Sequence, residues 1–249
     1  MGDTILSNFD GSLTVAVVGA SGGLGRAFVQ HLSTQSNVAK VHAFSRSKQV
    51  FDAPNVQSHY IDITSEESIK NALKNLEVGT LFDVVIVATG FLHSDNTSPE
   101  KTIRDVSLEN FHDVFSVNTF GPALIAKHFL PLLPRNRRSV FACLSARVGS
   151  ISDNQLGGWY AYRASKTALN MILKNAAIET ARRYKDACVV GLHPGTVDTA
   201  LSEPFQRNVQ EGKLFTPQYS VEKLLQVIND VQSEQSGLVF AWDGQEVPA

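Results

Sequence analysis

The stretch 13–25, reading LTVAVVGASGGLG, limits the possible folds of this 249-residue chain more than any other. Val15 to Val18 form an unbroken apolar run, the pattern of a strand buried on both faces of a parallel sheet. Gly19, Gly23 and Gly25 follow in a G-x-x-x-G-x-G spacing, and Arg26-Ala27-Phe28-Val29 opens a helical pattern. A strand, a glycine turn and a helix N-terminus in that order make an anion site, because free N–H groups and the positive end of the helix dipole converge there. Glycines also let the backbone approach a pyrophosphate and let helix and strand pack closely. The same glycines could fill an ordinary turn; the buried strand directly before them favours a dinucleotide.

Strand and helix patterns alternate through the rest of the chain, without repeats or low-complexity linkers. Strands are predicted at 40–44, 56–61, 82–88, 139–144, 187–193 and 238–242, and helices at 65–76, 107–133, 160–184 and 220–232. The expected fold is α/β: a Rossmann-type, doubly wound parallel sheet of about seven strands with helices on both faces, forming a single domain over residues 1–249. Ligands of such sheets bind beyond the carboxyl ends of the strands, where strand order reverses. Gly19, Arg46, Asp62, Gly90, Ser145 and Pro194 all fall at or just after a predicted strand end.

The second strand ends in Ser45-Arg46-Ser47, about 20 residues beyond the glycines. A carboxylate there would accept the 2′-hydroxyl of NAD, whereas an arginine can hold the 2′-phosphate of NADP. No carboxylate lies between Lys40 and Phe51, so Arg46 is the expected phosphate contact and NADP, rather than NAD, the expected cofactor. Otherwise Arg46 is a solvated loop charge.

Tyr162 and Lys166 lie in the run YRASK, at a spacing that places a phenol and an ammonium on one helix face. A free phenol ionises near pH ~10; a fixed cation beside it favours the phenolate and suits it to acid–base work on an alkoxide. A surface pair is the plain alternative, and the strand-end cluster argues against it.

A net charge of −2 gives no reason to expect nucleic acid or an anionic membrane as partner. Cys143 and Cys188 fall inside predicted buried strands with neither metal nor disulfide spacing, which suggests core residues in a reducing compartment. No stretch approaches the ~20 apolar residues of a membrane span, and residues 1–12 lack the pattern of a signal peptide. A cytoplasmic protein is expected, so the sequon at Asn96 is not expected to carry glycan. None of the seven histidines forms a spaced metal set; no metal is expected, and His193 is assigned to a strand-end turn.

Taken together, GASGGLG at Gly19, YIDIT around Asp62, SVNTFGP around Asn118, YRASK at Tyr162 and HPGTVDT at His193 resemble the short-chain dehydrogenase/reductase family over nearly the whole chain. SISDNQLGGWYAYRASKTALNM is most similar to the carbonyl-reductase and C-factor-like members. The resemblance implies a catalytic set of Tyr162, Lys166, Ser145 and Asn118. It implies cofactor contacts from Gly19, Ser21, Gly23, Leu24, Gly25, Ser45, Arg46, Asp62, Ile63, Ala88, Thr89, Gly90, Tyr162, Lys166, Pro194, Gly195, Val197 and Thr199. Lys166 would hold the nicotinamide ribose and depress the Tyr162 pKa. Asp62 would bond near the adenine or cap the following helix. Asn118, an odd choice inside a helix, would mark a kink that positions a water on a proton path to Lys166, or be a satisfied buried amide.

Two departures affect function. The family's Asn-Asn-Ala-Gly turn is Val87-Ala88-Thr89-Gly90 here, degraded except for Gly90. The family's Ser-x-x-Gly places its serine three residues before a glycine, but Ala146 precedes Gly149 at that distance and Ser145 comes before it. Successive strand residues point in opposite directions, so the shift matters; Ser145 is the expected working hydroxyl, with Ser150 and Ser152 as stand-ins. The expected activity is reversible, NADPH-dependent reduction of a small ketone or aldehyde by an oxidoreductase. The alternative is an NADP-binding, C-factor-like regulator with little turnover. Its pocket is expected from the loop after Gly90, residues 152–159, and a lid at about 200–217, with Trp159 and Trp242 as candidate lining. Helices 107–133 and 160–184 resemble the family's dimer surface, so a homodimer or homotetramer is expected.

Overall fold

The computed structural model describes residues 5–47, 49–94 and 97–249, with the side chain of Asn208 excluded. Asn96 of the sequon lies outside them. Its main sheet contains β1 (Leu13–Val18), β2 (Val38–Ser45), β3 (Val56–Tyr60), β4 (Val84–Val87), β5 (Ser139–Leu144), β6 (Ala187–His193) and β9 (Val239–Ala241). The helices are α1 (Gly23–Ser33), α2 (Glu66–Lys74), α3 (Leu108–Phe115), α4 (Gly121–Phe129), α5 (Tyr160–Thr180) and α6 (Pro217–Asp230). All seven strands run parallel in the order β3-β2-β1-β4-β5-β6-β9. Chain order therefore reverses between β1 and β4, and their carboxyl ends open the expected crevice. A separate two-stranded sheet pairs β7 (Thr196–Val197) with β8 (Leu214–Phe215), tying down both ends of the predicted lid.

Period-two alternation explains why the strands read as continuous apolar runs. Val15 and Val17 of β1 join one core with α1 and α6 residues such as Phe28 and Leu224, while Ala16 and Val18 join the opposite core with Leu169 and Leu173 of α5. Cys143 and Cys188 are free thiols buried in these cores. No helix among the described residues is long and apolar enough to cross a membrane.

The helix predicted over 107–133 is interrupted. Ser107 caps α3 by accepting from the Asn110 N–H, but Ser116–Phe120 forms a π-helical turn before α4 begins at Gly121. The Gly121 N–H donates to the Ser116 carbonyl five residues back, the mark of a widened turn. Tertiary contacts impose it: Thr119 Oγ1 donates to the Ser165 carbonyl at 2.9 Å, and Gly121 leaves room for Ile63, whose Cδ1 would be 2.6 Å from a Cβ there.

On the outer edge, His42 Nδ1 meets His59 Nε2 at 2.9 Å, stacked beside Phe44. Burial, with the His59 and Lys40 charges adding, pushes His42 down to about 4, and burial with Arg147 does the same to His193. Both lie below the 6.5 of a free histidine. Between pH 6.5 and about 4 the unfolded chain therefore binds protons that the folded chain refuses. Stability is full above that window and lost as pH falls through it. Calorimetry should find a melting midpoint several degrees lower near pH 5 than near pH 7; a flat profile would contradict this burial.

Candidate active site

At the switch between β1 and β4, a cavity of about 170 Å³ is lined by Gly19, Ser21, Ser45, Arg46, Asp62, Ile63, Ala88, Thr89 and Gly90, all expected there. Gly22, Ile61, Thr64 and Val117 also line it and were not anticipated. Gly19 adopts φ +93, and a Cβ on it would be 2.9 Å from the Ala88 backbone. A Cβ on Gly23 would be 2.7 Å from Thr199 Cγ2, so the glycine turn is pressed against the strand-end segments around it. Gly25 packs α1 onto the turn and does not border the cavity. Thr89 Oγ1 is buried without a hydrogen-bond partner among the described residues, as a group reserved for a ligand would be. Arg46 is exposed at the rim and makes no direct hydrogen bond or ion pair among them. A glycine cradle, a spare buried hydroxyl and a rim guanidinium together fit a phosphorylated dinucleotide.

Of the two roles weighed for Asp62, capping the following helix falls to Ser65, and Asp62 lies at the cavity. Its Oδ1 accepts from the Thr64 N–H at 2.9 Å and from Thr64 Oγ1 at 2.7 Å. Burial raises its carboxyl, but the Thr64 donors and the Arg46 charge outweigh that and hold the pKa below its ordinary value.

A second cavity, of about 230 Å³, lies on the other side of the glycine turn. Its wall includes Leu24, Ser145, Tyr162, Pro194, Gly195, Val197 and Thr199, as expected, and His193. Leu201 and Phe205 enter from the lid, Leu92 from the loop after β4, and Trp159 from the segment before α5. Trp159 sits at φ +52, and its ring meets Tyr162 at 6.1 Å and Phe205 at 5.0 Å between centroids. Glu100 holds that turn, accepting from the Trp159 N–H through its carbonyl and from the Ala161 N–H through its carboxylate. Nothing in the local sequence around Glu100 signals this long-range contact. Trp242 is not part of this wall: it packs on Phe215 and Tyr219, because β9 ends on the far side of Gly195.

Tyr162 and Lys166 share the expected face of α5, with Lys166 Nζ 5.8 Å from the Tyr162 ring centroid. Lys166 is buried beside the cavity rather than lining it, and its Nζ donates to the Leu144 carbonyl at 2.8 Å. The expected depression of the Tyr162 pKa is absent. Burial instead pushes the phenol up to about 12 and the ammonium down to about 8. Desolvation is the whole cause of the phenol's rise, and the Lys166 ammonium is directed at the Leu144 carbonyl.

Ser145, not Ala146, faces α5. Phe141 and Cys143 point into the α5-side core while Val140, Ala142 and Leu144 point away, and Ser145 continues the first set. Its Oγ donates to Asn170 Oδ1 at 2.6 Å, a partner the sequence reading missed. Ser150 and Ser152 are not stand-ins: both hydroxyls donate to the Ala249 carbonyl. Asn118 sits in the π turn, so the kink is real, but its amide is spent. Oδ1 accepts from the Phe91 N–H at 2.8 Å, and Nδ2 donates to the Phe91 carbonyl and to Ser165 Oγ. Any water on a proton path there would have to be held by backbone.

The short chain dehydrogenase family profile matches residues 13–210. The chain belongs to that family. The NADPH-bound carbonyl reductase from chicken fatty liver superposes with a TM-score of 0.84 at 25% identity, covering 100% of both chains. The 1-hydroxy-2-glutathionyl-2-methyl-3-butene dehydrogenase of a Rhodococcus species is 28% identical over 93% of this chain and 97% of its own. The C-signal protein of Myxococcus xanthus is 35% identical over 59% of this chain and 82% of its own. A short-chain oxidoreductase with carbonyl-reductase-like architecture and C-signal among its relatives is therefore what this sequence encodes.

Proposed function

We propose that the protein reduces a ketone or aldehyde to an alcohol with NADPH, reversibly, with Tyr162 as the general acid and base. One observation carries this reading: the Tyr162 ring, the Ser145 strand end and the Pro194–Gly195 turn share one largely apolar cavity beside the glycine turn. When bound, the dinucleotide supplies or accepts the hydride. Tyr162 donates its proton to the carbonyl oxygen, and a phenol raised by burial holds that proton throughout the neutral range, which suits reduction. Ser145 orients the same oxygen, and Lys166, once released from Leu144, bonds the ribose hydroxyls. Asn118 positions the Phe91 loop against Ser165. The apolar wall of Leu92, Trp159, Leu201 and Phe205 excludes water around the substrate.

A panel of neutral carbonyl compounds, followed by the absorbance of reduced nicotinamide, tests this reading. Turnover supports it. Tight NADPH binding with no turnover across broad chemistry would instead favour a C-factor-like regulator, a reading prompted by the C-signal match and by the degraded 87–90 turn.

Arg46 is assigned to the 2′-phosphate. Arg46→Ala should raise the KM for NADPH by roughly 10–100-fold, the worth of a charge-assisted hydrogen bond, and leave NADH kinetics nearly unchanged. Equal effects on both cofactors would remove the assignment.

A further inference from the structure

Helix α5 presents Tyr162, Lys166 and Asn170 on three successive turns of one face. The third of these has no part in the scheme above. Asn170 reaches Ser145 across 25 residues of sequence, and the Ser145 hydroxyl, 3% exposed, gives its proton to Asn170 Oδ1. A hydroxyl has one proton and two lone pairs. With the proton committed to Asn170, Ser145 can only accept, and a carbonyl oxygen has nothing to donate. In that orientation of the amide, Ser145 cannot donate to a substrate oxygen. Turning the Asn170 amide over exchanges Oδ1 for Nδ2, which then donates to Ser145 Oγ and frees the hydroxyl proton for the substrate. No other hydrogen bond holds that amide among the described residues, so the turn breaks only the bond to Ser145.

We infer that Asn170 is a positioning residue, whose amide orientation determines whether Ser145 can donate to the substrate oxygen. This rests on the oxidoreductase reading. In the turned state the chain from Nδ2 through Ser145 to the carbonyl is polarised in one direction, and each bond strengthens the next. Only an amide serves both orientations. A carboxylate would accept the Ser145 proton and keep it.

The test compares Asn170→Ala and Asn170→Asp, each with and without Ser145→Ala, by steady-state carbonyl reduction as a function of pH. NADPH binding by fluorescence serves as the check on folding. Asn170→Ala should lower kcat about 10-fold with little change in NADPH affinity. Asn170→Asp should fall further at neutral and alkaline pH, and its activity relative to wild type should recover as acid protonates the carboxyl and restores a donor. Lys166 and Lys174 stand one helical turn to either side of that carboxyl on α5. Dividing by the wild-type profile removes their own titrations. With Ser145→Ala in place, neither substitution at 170 should lower kcat further. Wild-type kcat in Asn170→Asp at alkaline pH, or an undiminished loss in the Ser145→Ala background, would overturn the inference while leaving the enzyme reading intact. Absence of carbonyl turnover in the wild-type protein would overturn both.

Discussion

Tyr162→Phe should lower carbonyl reduction by about 10²–10⁴-fold, the range lost with a general acid, while NADPH binding stays near wild type. The substitution deletes one hydroxyl and keeps the ring that packs edge-on to Trp159. No hydrogen bond among the described residues depends on that hydroxyl, so the fold should be indifferent to its loss. The two readouts separate the roles: a phenol needed for chemistry affects kcat, whereas a packing ring would affect stability. Full activity in the variant would refute the assignment of Tyr162 and, with it, the mechanism. Unfolding would point to a structural role instead.

The second large effect is expected at Gly25. A Cβ there would lie 2.0 Å from the Gly19 carbonyl oxygen, 2.7 Å from its carbon and 3.1 Å from Ala20 Cα. All three are backbone atoms of the turn and cannot rotate away. Gly25→Ala must lift the first turn of α1 off β1, costing about 1–3 kcal/mol or more in overpacking and displacing the N–H groups aimed at the pyrophosphate. A lower melting midpoint and lost NADPH binding are expected together. Gly22→Ala is the stability control, since its Cβ meets only the Gly19 carbonyl oxygen, at 3.5 Å, and its φ of −75 suits any residue. Equal stability of the two variants would show that α1 does not pack as described.

Much of the architecture is visible in local patterns. The β1 run, the glycine turn and the opening of α1 adjoin in sequence and in space, so their order already states how a phosphate could be met. The same holds for Tyr162 and Lys166, whose common face follows from helical spacing alone. Alternation along β5 even contains the answer to the Ser145 problem, although not which face of the sheet α5 would cover.

Other features depend on partners distant in sequence. The 107–133 stretch reads as one amphipathic helix because nothing local reveals that Thr119 bonds to Ser165 and that Ile63 fills the space over Gly121. Trp159 and Trp242 are equivalent candidates in the sequence. Only the left-handed turn held by Glu100 brings the first into the cavity, and only the course of β9 carries the second away.

By itself the amino-acid order determined the strand–helix alternation that implies a parallel sheet, the glycine turn and the tyrosine–lysine face, because each of these patterns is written in residues at most a few positions apart. Tertiary structure alone decided the burial that raises the phenol and lowers the ammonium, and the amide that holds the Ser145 proton. Desolvation and hydrogen bonding at a site depend on what distant segments exclude from it and bring to it, and neither is encoded in local spacing.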